Sequence, residues 1–324
     1  MLLPDRYITF KAGIGQELDA RPPLSSLRAG YLLVVVSAFC FAAGGNLIKA
    51  LFKLGYSPPL LAQLRLWFAF GWLLVALLLL RPELIRVRRR DLPALAVFGG
   101  VGLAGVQLSY YLTIARINIA VALLVQYLGL VGVATWEHYH RRQTVSGRIW
   151  GALVLVLIGA FLAVGGYRPS LLSVNLPGVL FGLLSACFFA FYMLRASSLA
   201  RRVNTWTMLL YGFGVGGLLW VGYDVVTGMR LPSDWRLWVA MAVVGLLGTL
   251  LGHSLFVMAL RTIRPSSAGI VATAEPVFAG LIAFVVFGDR LEGLQLLGAA
   301  IIIAGIIAVQ LSRAEETLQA ELVS

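Results

Sequence analysis

The feature that most constrains the fold of this chain is a series of ten apolar runs. Each is close to the ~20 residues that a helix needs to cross the hydrocarbon core of a bilayer. The runs fall at about residues 30–51, 60–80, 93–114, 119–136, 149–166, 176–195, 206–226, 238–260, 268–287 and 294–311. Only 12% of the 324 residues are charged, whereas soluble domains have about a quarter. The sequence therefore predicts an all-α integral membrane protein with ten transmembrane helices.

The positions of arginine and lysine predict the orientation. If the amino terminus is cytoplasmic, 18 basic residues fall in loops and tails on the inside and 6 on the outside, while Lys49 and Arg65 lie within helices. This ratio favours a cytoplasmic location for both termini. The net charge of +12 is spread over short loops rather than one continuous face, so it indicates topology and not nucleic-acid binding.

The two halves of the chain are related by a constant shift of 148 residues. The shift places identical residues on each other at six positions of the first and sixth runs: Gly30, Leu32, Ser37, Ala38, Phe41 and Ala42 on Gly178, Leu180, Ser185, Ala186, Phe189 and Ala190. Each half has five runs, an odd number, so the second half enters the membrane from the opposite side. Inverted repeats of this kind are common in secondary transporters, whose substrate site lies near the bilayer midplane.

The repeat predicts four parts of the chain. A cytoplasmic amino-terminal tail covers residues 1–28, the first five-helix repeat residues 29–166, the second repeat residues 176–311, and a cytoplasmic carboxy-terminal tail residues 312–324.

Several motifs resemble the signature of the EamA family, which belongs to the drug/metabolite transporter superfamily. They are Pro58-Pro59 followed by Arg65, the region around Pro276, the sequence Gly288-Asp289-Arg290-Leu291-Glu292, and the run from Gly298 to Gly305. The resemblance extends from about residue 30 to residue 311 as two tandem EamA-like domains. It implies ten helices around a central cavity, alternating access, and export of amino acids or other small metabolites across the bacterial inner membrane.

The two halves differ at the position of Pro276. The first half has Leu128 where the second has Pro276, and Tyr127 where the second has Glu275. A proline removes a backbone donor and leaves the carbonyl four residues earlier without its helical partner. The sequence therefore predicts a bend in the ninth helix that the fourth helix lacks.

Glu275 is the leading candidate for a functional side chain, because it is the acid that lies well inside a span. Glu137 and Asp224 fall near helix ends. A charge at that depth costs a few kcal/mol and is usually functional. Beside Pro276, Glu275 is expected to bind a substrate ammonium group or exchange a proton. The alternative is a glutamate that packs between helices.

Lys49 and Arg65 form a second candidate set near the outer side of the membrane. The planar guanidinium group of arginine matches a carboxylate bidentately, so a substrate carboxylate is one expected partner. The alternative for Lys49 is an extended side chain that reaches the interface. Arg65 lies deeper, and a buried structural or gating role is favoured for it.

Other polar and aromatic residues within the spans are candidates for a cavity wall: Asn46, Gln107, Tyr110, Tyr111, Gln126, Tyr127 and His253. Gln107 and Tyr111 are four residues apart and so share one face of a helix. The alternative for each residue is an interhelical hydrogen bond, worth about 0.6 kcal/mol. For His253 a packing role is favoured.

The sequence offers no support for a resident cofactor, metal or nucleotide. Cys40 and Cys187 both lie in apolar runs, and His138 and His140 have no acidic or cysteine partner at ligand spacing. Hydrolase, metalloprotease and nucleotide-binding motifs are absent. The expected partners are a small-molecule substrate and the lipid bilayer, with protons as a candidate coupling ion and no nucleic acid.

These observations favour a secondary transporter that moves a small organic metabolite, an amino acid or related solute, outward by alternating access. Two other functions stay open at this point. One is a membrane enzyme acting on a lipid-linked or amphipathic substrate with Glu275, His253 and Arg65 in its site; the other is a scaffold or sensor that does not transport.

Overall fold

The computed structural model describes residues 24–142, 145–171, 175–228 and 232–323. Within these residues the fold is helical throughout. The ten main helices are α1 (Leu24–Lys53), α2 (Pro58–Leu80), α3 (Arg89–Ile114), α4 (Ile119–Tyr139), α5 (Gly147–Ala163), α6 (Leu176–Ala200), α7 (Thr205–Thr227), α8 (Trp235–Ala259), α9 (Pro265–Phe287) and α10 (Gly293–Val323). The predicted all-α membrane fold is confirmed.

Nine of the described helices are long and apolar enough to cross a membrane. The other, α5, has 17 residues, the lower limit for a span, and it packs along α10. Helix α10 continues to Val323, through most of the segment predicted as the carboxy-terminal tail. Most of the predicted amino-terminal tail, residues 1–23, lies outside the described residues.

Two faces of the bundle are distinguished below. The terminal face is the one on which α1 begins and α10 ends, and it carries the α2–α3, α4–α5, α6–α7 and α8–α9 connections. The opposite face carries the other five connections.

The helix contacts follow the repeat. Helix α1 of the first half packs against α8 and α9 of the second, and α6 of the second half packs against α3 and α4 of the first. Helices α2 and α7 pack against each other. Helix α2 also packs against α8, and α7 also packs against α3. Each repeat therefore completes its packing with helices of the other.

Helices α4 and α9 are both interrupted near their middle. Helix α4 consists of Ile119–Tyr127 and Gly129–Tyr139, and α9 consists of Pro265–Ala272 and Glu275–Phe287. The prediction that only α9 is irregular is wrong. At the α4 break the amide of Leu128 bonds to the carbonyl of Val125, three residues earlier, so the regular i→i−4 pattern is broken without a proline.

Helices α3 and α8 each contain a π-helical segment at equivalent positions of the two repeats. The segments are Phe98–Ala104 and Val244–Leu251, and the shift of 148 residues places Gly100 of one on Gly248 of the other. A π-helical segment inside an α-helix is frequent at functional sites because it redirects the side chains around it.

Glycines allow the closest helix approaches. A Cβ atom on Gly44 of α1 would lie 2.7 Å from the Cα atom of Gly248 of α8, and a Cβ atom on Gly159 of α5 would lie 2.8 Å from the carbonyl oxygen of Gly298 of α10. Backbones that meet in this way gain van der Waals contact where no hydrophobic force acts between helices.

Candidate functional site

A cavity of about 690 Å³ lies at the centre of the described bundle. All of the sequence-predicted site residues line it: Asn46, Lys49, Arg65, Gln107, Tyr110, Tyr111, Gln126, Tyr127, His253, Glu275 and Pro276. They come from α1, α2, α3, α4, α8 and α9, so residues far apart in the chain meet in one chamber.

The cavity opens at the opposite face. Its wall includes Arg168 from the α5–α6 connection and Asp289 and Arg290 from the α9–α10 connection, all on that face, but no residue from the described terminal-face connections. At its floor a Cβ atom on Gly269 would lie 2.5 Å from Leu130 Cδ2. This tight contact between α9 and α4 separates the cavity from the terminal face.

Arg65 is held in the cavity wall by the π-helical segment of α8. Its Nε group donates a hydrogen bond to Thr249 Oγ1 at 3.1 Å, and Thr249 Oγ1 in turn donates to the carbonyl of Val244, five residues earlier, at 3.3 Å. Among the described residues Arg65 forms no ion pair, and the side chain of Tyr111 lies close enough to hydrogen-bond to it. The guanidinium group thus lines the cavity without a carboxylate partner.

Glu275 begins the second half of α9, directly after the break, and Pro276 has no N–H for the carbonyl of Ala272. Within the described chain the carboxylate of Glu275 makes no hydrogen bond or ion pair. Arg65 is close enough to act on Glu275 electrostatically, but no direct ion pair joins the two. Arg65 and Glu275 therefore line one cavity without forming an ion pair with each other.

The uncharged polar side chains of the wall form two groups, those that hydrogen-bond to another helix and those without a hydrogen-bond partner among the described residues. Asn46 donates to the carbonyl of Ala279 at 3.2 Å and joins α1 to α9, while Gln126 donates to Ser185 Oγ at 2.8 Å and joins α4 to α6. Gln107 Oε1 and the hydroxyl group of Tyr127 are buried without a hydrogen-bond partner among the described residues. Unpaired buried polar groups are costly, so these two are available to a bound solute.

His253 has the surroundings of a packing residue. Its Nδ1 atom lies 2.8 Å from the carbonyl oxygen of Thr249. The rings of Phe41, Phe213 and Tyr192 surround it with centroid distances of 4.9, 5.7 and 6.0 Å. These contacts fix the imidazole ring and connect it to the residue that holds Arg65.

Charged pairs surround the mouth of the cavity. Lys49 of α1 lies 3.9 Å from Asp289, and Arg168 lies 2.7 Å from Glu292. Glu292 also accepts a hydrogen bond from the Tyr167 hydroxyl group. The hydrogen bond from Tyr167 and the charge of Arg168 lower the pKa of Glu292 below its usual value, which keeps this carboxylate ionised at the rim.

The sequence profile of the EamA-like transporter family matches residues 28–165 and 176–311. The chain belongs to the EamA-like transporter family. The predicted membership is thereby confirmed, and with it a multi-pass transporter of the bacterial inner membrane whose partners include a small-molecule substrate and membrane lipid.

Relatives of this EamA-like transporter cover nearly its whole length. The uncharacterized inner membrane transporter YicL of Salmonella typhimurium is 27% identical, over 89% of this chain and 97% of the relative. The pseudopaline exporter CntI of Pseudomonas aeruginosa is 27% identical, over 88% and 97%. The threonine/homoserine exporter RhtA of Escherichia coli is 25% identical, over 90% and 94%.

A solved crystal structure matches the fold of this EamA-like transporter with a TM-score of 0.73 and 18% sequence identity. The match covers 89% of this chain and 96% of the solved chain. At this identity the likeness supports the ten-helix fold alone.

Sequence reasoning missed three residues that shape this EamA-like transporter. Thr249 and Ser185 are the partners of Arg65 and Gln126. Ser185 was visible only as a repeat position identical to Ser37, and nothing in the sequence marked either residue as a hydrogen-bond partner. Glu137 was set aside as a residue near a helix end, yet it is fully buried. No pattern in the sequence around Glu137 indicates this burial, which depends on its contact with Ser266 of α9.

The histidine cluster at the end of α4 has interfacial contacts. The backbone amide of Val145 donates to His138 Nδ1 at 3.4 Å, and His140 stacks on Trp136 at a centroid distance of 4.0 Å. Both histidines thus contact neighbouring groups at the terminal face, and neither is among the residues that line the central cavity.

Proposed function

We propose that this protein exports a small zwitterionic metabolite, an amino acid or a related solute, by alternating access. The observation that carries the proposal is the arrangement of Arg65 and Glu275. Both face the same cavity and neither is paired with the other. In this proposal Arg65 binds the substrate carboxylate and Glu275 binds the substrate ammonium group.

The free-energy cost of placing ionisable groups within the membrane supports this assignment. Ionisable groups within the membrane are expensive and usually belong to substrate or ion pathways. A zwitterion supplies each of the two side chains with an opposite charge, and the Nη groups of Arg65 match a carboxylate bidentately. The cavity volume of about 690 Å³ lies in the range of roughly 300–1,000 Å³ typical of small-molecule sites.

The direction of transport rests on two further arguments. Relatives that match over most of their length are named as exporters of threonine/homoserine and of pseudopaline. The excess of basic residues in the terminal-face loops predicts that this face is cytoplasmic. With that orientation the cavity is open to the outside, which is the state that follows release of an exported substrate.

Counterflow in proteoliposomes tests the proposal. Vesicles loaded with an unlabelled amino acid should accumulate the same labelled amino acid, and a panel of zwitterionic, cationic and anionic solutes would define the class. We expect accumulation for zwitterions and little for singly charged analogues. Accumulation of none of the zwitterions, or conversion of the solute without translocation, would contradict the proposal; the second outcome would favour a membrane enzyme.

Matched variants separate binding from folding. Glu275→Gln and Arg65→Gln each remove one charge and keep a similar shape, and each should reduce counterflow at least tenfold. Arg65→Lys keeps the charge but loses the planar fork, and an intermediate effect is expected. Glu83→Gln is the control because Glu83 is exposed in the α2–α3 connection, far from the cavity, and it should transport at the normal rate.

A further inference from the structure

The two faces of the bundle are closed to very different extents. On the terminal face the second half of α4, Gly129–Tyr139, packs against the first half of α9, Pro265–Ala272. On the opposite face the equivalent halves, Ile119–Tyr127 and Glu275–Phe287, make little contact. The cavity lies between them, and both halves contribute residues to its wall.

A buried carboxylate joins the closed halves. Glu137, in the last turn of α4, has a relative exposure of 0%. Its Oε2 atom accepts a hydrogen bond of 3.2 Å from the backbone N–H group of Ser266, in the first turn of α9. Helix α9 has no side-chain cap of its own, because the residue before it is Arg264. The first repeat thus supplies an anion to the positive end of a helix in the second repeat.

The repeat shows that this contact has no counterpart on the opposite face. The shift of 148 residues places Glu137 on Val285, which is 71% exposed. It places Ser266 on Asn118, whose side chain caps its own helix by accepting the backbone N–H group of Ala120 at 2.8 Å. The amino-terminal end of α4 is therefore satisfied without a group from α9.

We propose that the contact between Glu137 Oε2 and the Ser266 N–H group, here called the Glu137 latch, holds the terminal face closed. The latch must open before the cavity can reach the terminal face. Because the opposite face lacks a latch, the protein rests with its cavity open there. This proposal rests on the proposed function, since a latch has a role only in a protein that alternates between two open states.

The charge of Glu137 is central to the latch. Arg141, which follows α4, and Arg264, which precedes α9, are the cations close enough to act on Glu137 electrostatically. Arg141 also donates to the carbonyl of Leu194 in α6 at 3.2 Å. A neutral amide in place of the carboxylate would retain the shape of the side chain but lose its attraction to both arginines and to the end of α9.

Water access to a buried cysteine measures the latch without any substrate. Val133 lies one turn before Glu137 on the same side of α4 and is fully buried. In a chain with Cys40→Ala and Cys187→Ala, Val133→Cys should react slowly with a membrane-impermeant maleimide added at the terminal face. Glu137→Gln weakens the latch, so it should raise the labelling rate about tenfold. A tenfold change corresponds to about 1.4 kcal/mol in the free energy of opening the terminal face.

A second variant removes the donor instead of the charge. Ser266→Pro eliminates the backbone N–H group, and a double proline is tolerated at the start of a helix in this chain, since α2 begins with Pro58-Pro59. It should accelerate labelling to a similar extent. The combination with Glu137→Gln should label no faster than about threefold above either single variant, because both changes remove one interaction.

Two controls isolate the latch. Ser266→Ala keeps the N–H group and removes the hydroxyl group, which also acts on Glu137, so labelling should rise less than in Ser266→Pro. Glu83→Gln neutralises an exposed carboxylate on the same face, in a pair 3.8 Å from Arg81, and should have no effect.

The outcomes are distinct. Unchanged labelling in Glu137→Gln, or equal acceleration in Glu83→Gln, would overturn the proposal. Loss of folded, monodisperse protein in both Glu137→Gln and Ser266→Pro would also overturn it, because the contact would then be a requirement of folding. Failure of counterflow with all solutes, alongside normal latch behaviour, would count against the proposed substrate and not against the latch.

Discussion

Two adjacent glycines of α1 provide a matched test of the helix packing. A Cβ atom on Gly44 would lie 2.7 Å from the Cα atom of Gly248 in α8, whereas a Cβ atom on Gly45 would have nothing within 4 Å. Ordinary van der Waals contact begins at 3.4 Å, so Gly44→Ala must push α1 and α8 apart by about 0.7 Å. Overpacking of this kind costs about 1–3 kcal/mol, while Gly45→Ala should be neutral or gain up to ~1 kcal/mol.

The same displacement should affect transport. Thr249 follows Gly248, and its hydroxyl group is 3.1 Å from Arg65 Nε, so a shift of several tenths of an ångström is enough to weaken that hydrogen bond. The measurement is the free energy of unfolding in detergent by denaturant titration, together with counterflow. If Gly44→Ala is as stable as Gly45→Ala, α1 and α8 do not meet through their backbones and the reasoning is refuted.

Three further predictions concern the cavity and its rim. Thr249→Val keeps the shape of the side chain but removes the acceptor for Arg65, so the KM for a zwitterion should rise several-fold with little change in stability; an unchanged KM would show that Arg65 is oriented by other groups. Glu275→Gln should flatten the dependence of transport on pH, and a profile and rate identical to those of the parent would remove Glu275 from the mechanism. The pKa of Glu292 is lowered, so its contacts with Tyr167 and Arg168 are present above the ordinary glutamate pKa of about 4.3 and are lost only as the pH falls through the lowered pKa. Glu292→Gln should therefore leave the shape of the pH profile of transport between about pH 5 and 8 unchanged. A new slope in that range would contradict this prediction.

The sequence predicted the helices well because their signal is local. Apolar runs of spanning length are required by the thickness of the bilayer, and the constant shift of 148 residues relates helices that are far apart in the chain. The co-location of Arg65 and Glu275 in one cavity follows from the same physics, since intramembrane charges avoid lipid. Both were visible as rare charges within long apolar runs.

The break in α4 and the burial of Glu137 could not be predicted in this way, because they depend on packing between helices. A proline in the sequence predicts a break in a helix. At Leu128 no residue in the sequence indicates the loss of regular hydrogen bonding. The burial of Glu137 depends on the helix start at Pro265, 128 residues later, which has no cap of its own. Contacts of that range leave no local pattern.

The breaks in α4 and α9 also have a consequence for the membrane. Because both breaks fall near the middle of a membrane-spanning helix, each helix would meet the two leaflets with two separate segments. One segment can rearrange while the other keeps its neighbours, so the lateral outline of the protein need change in only one leaflet at a time. Transport should then be more sensitive to the acyl-chain packing of the leaflet whose face is opening than to the total thickness of the bilayer.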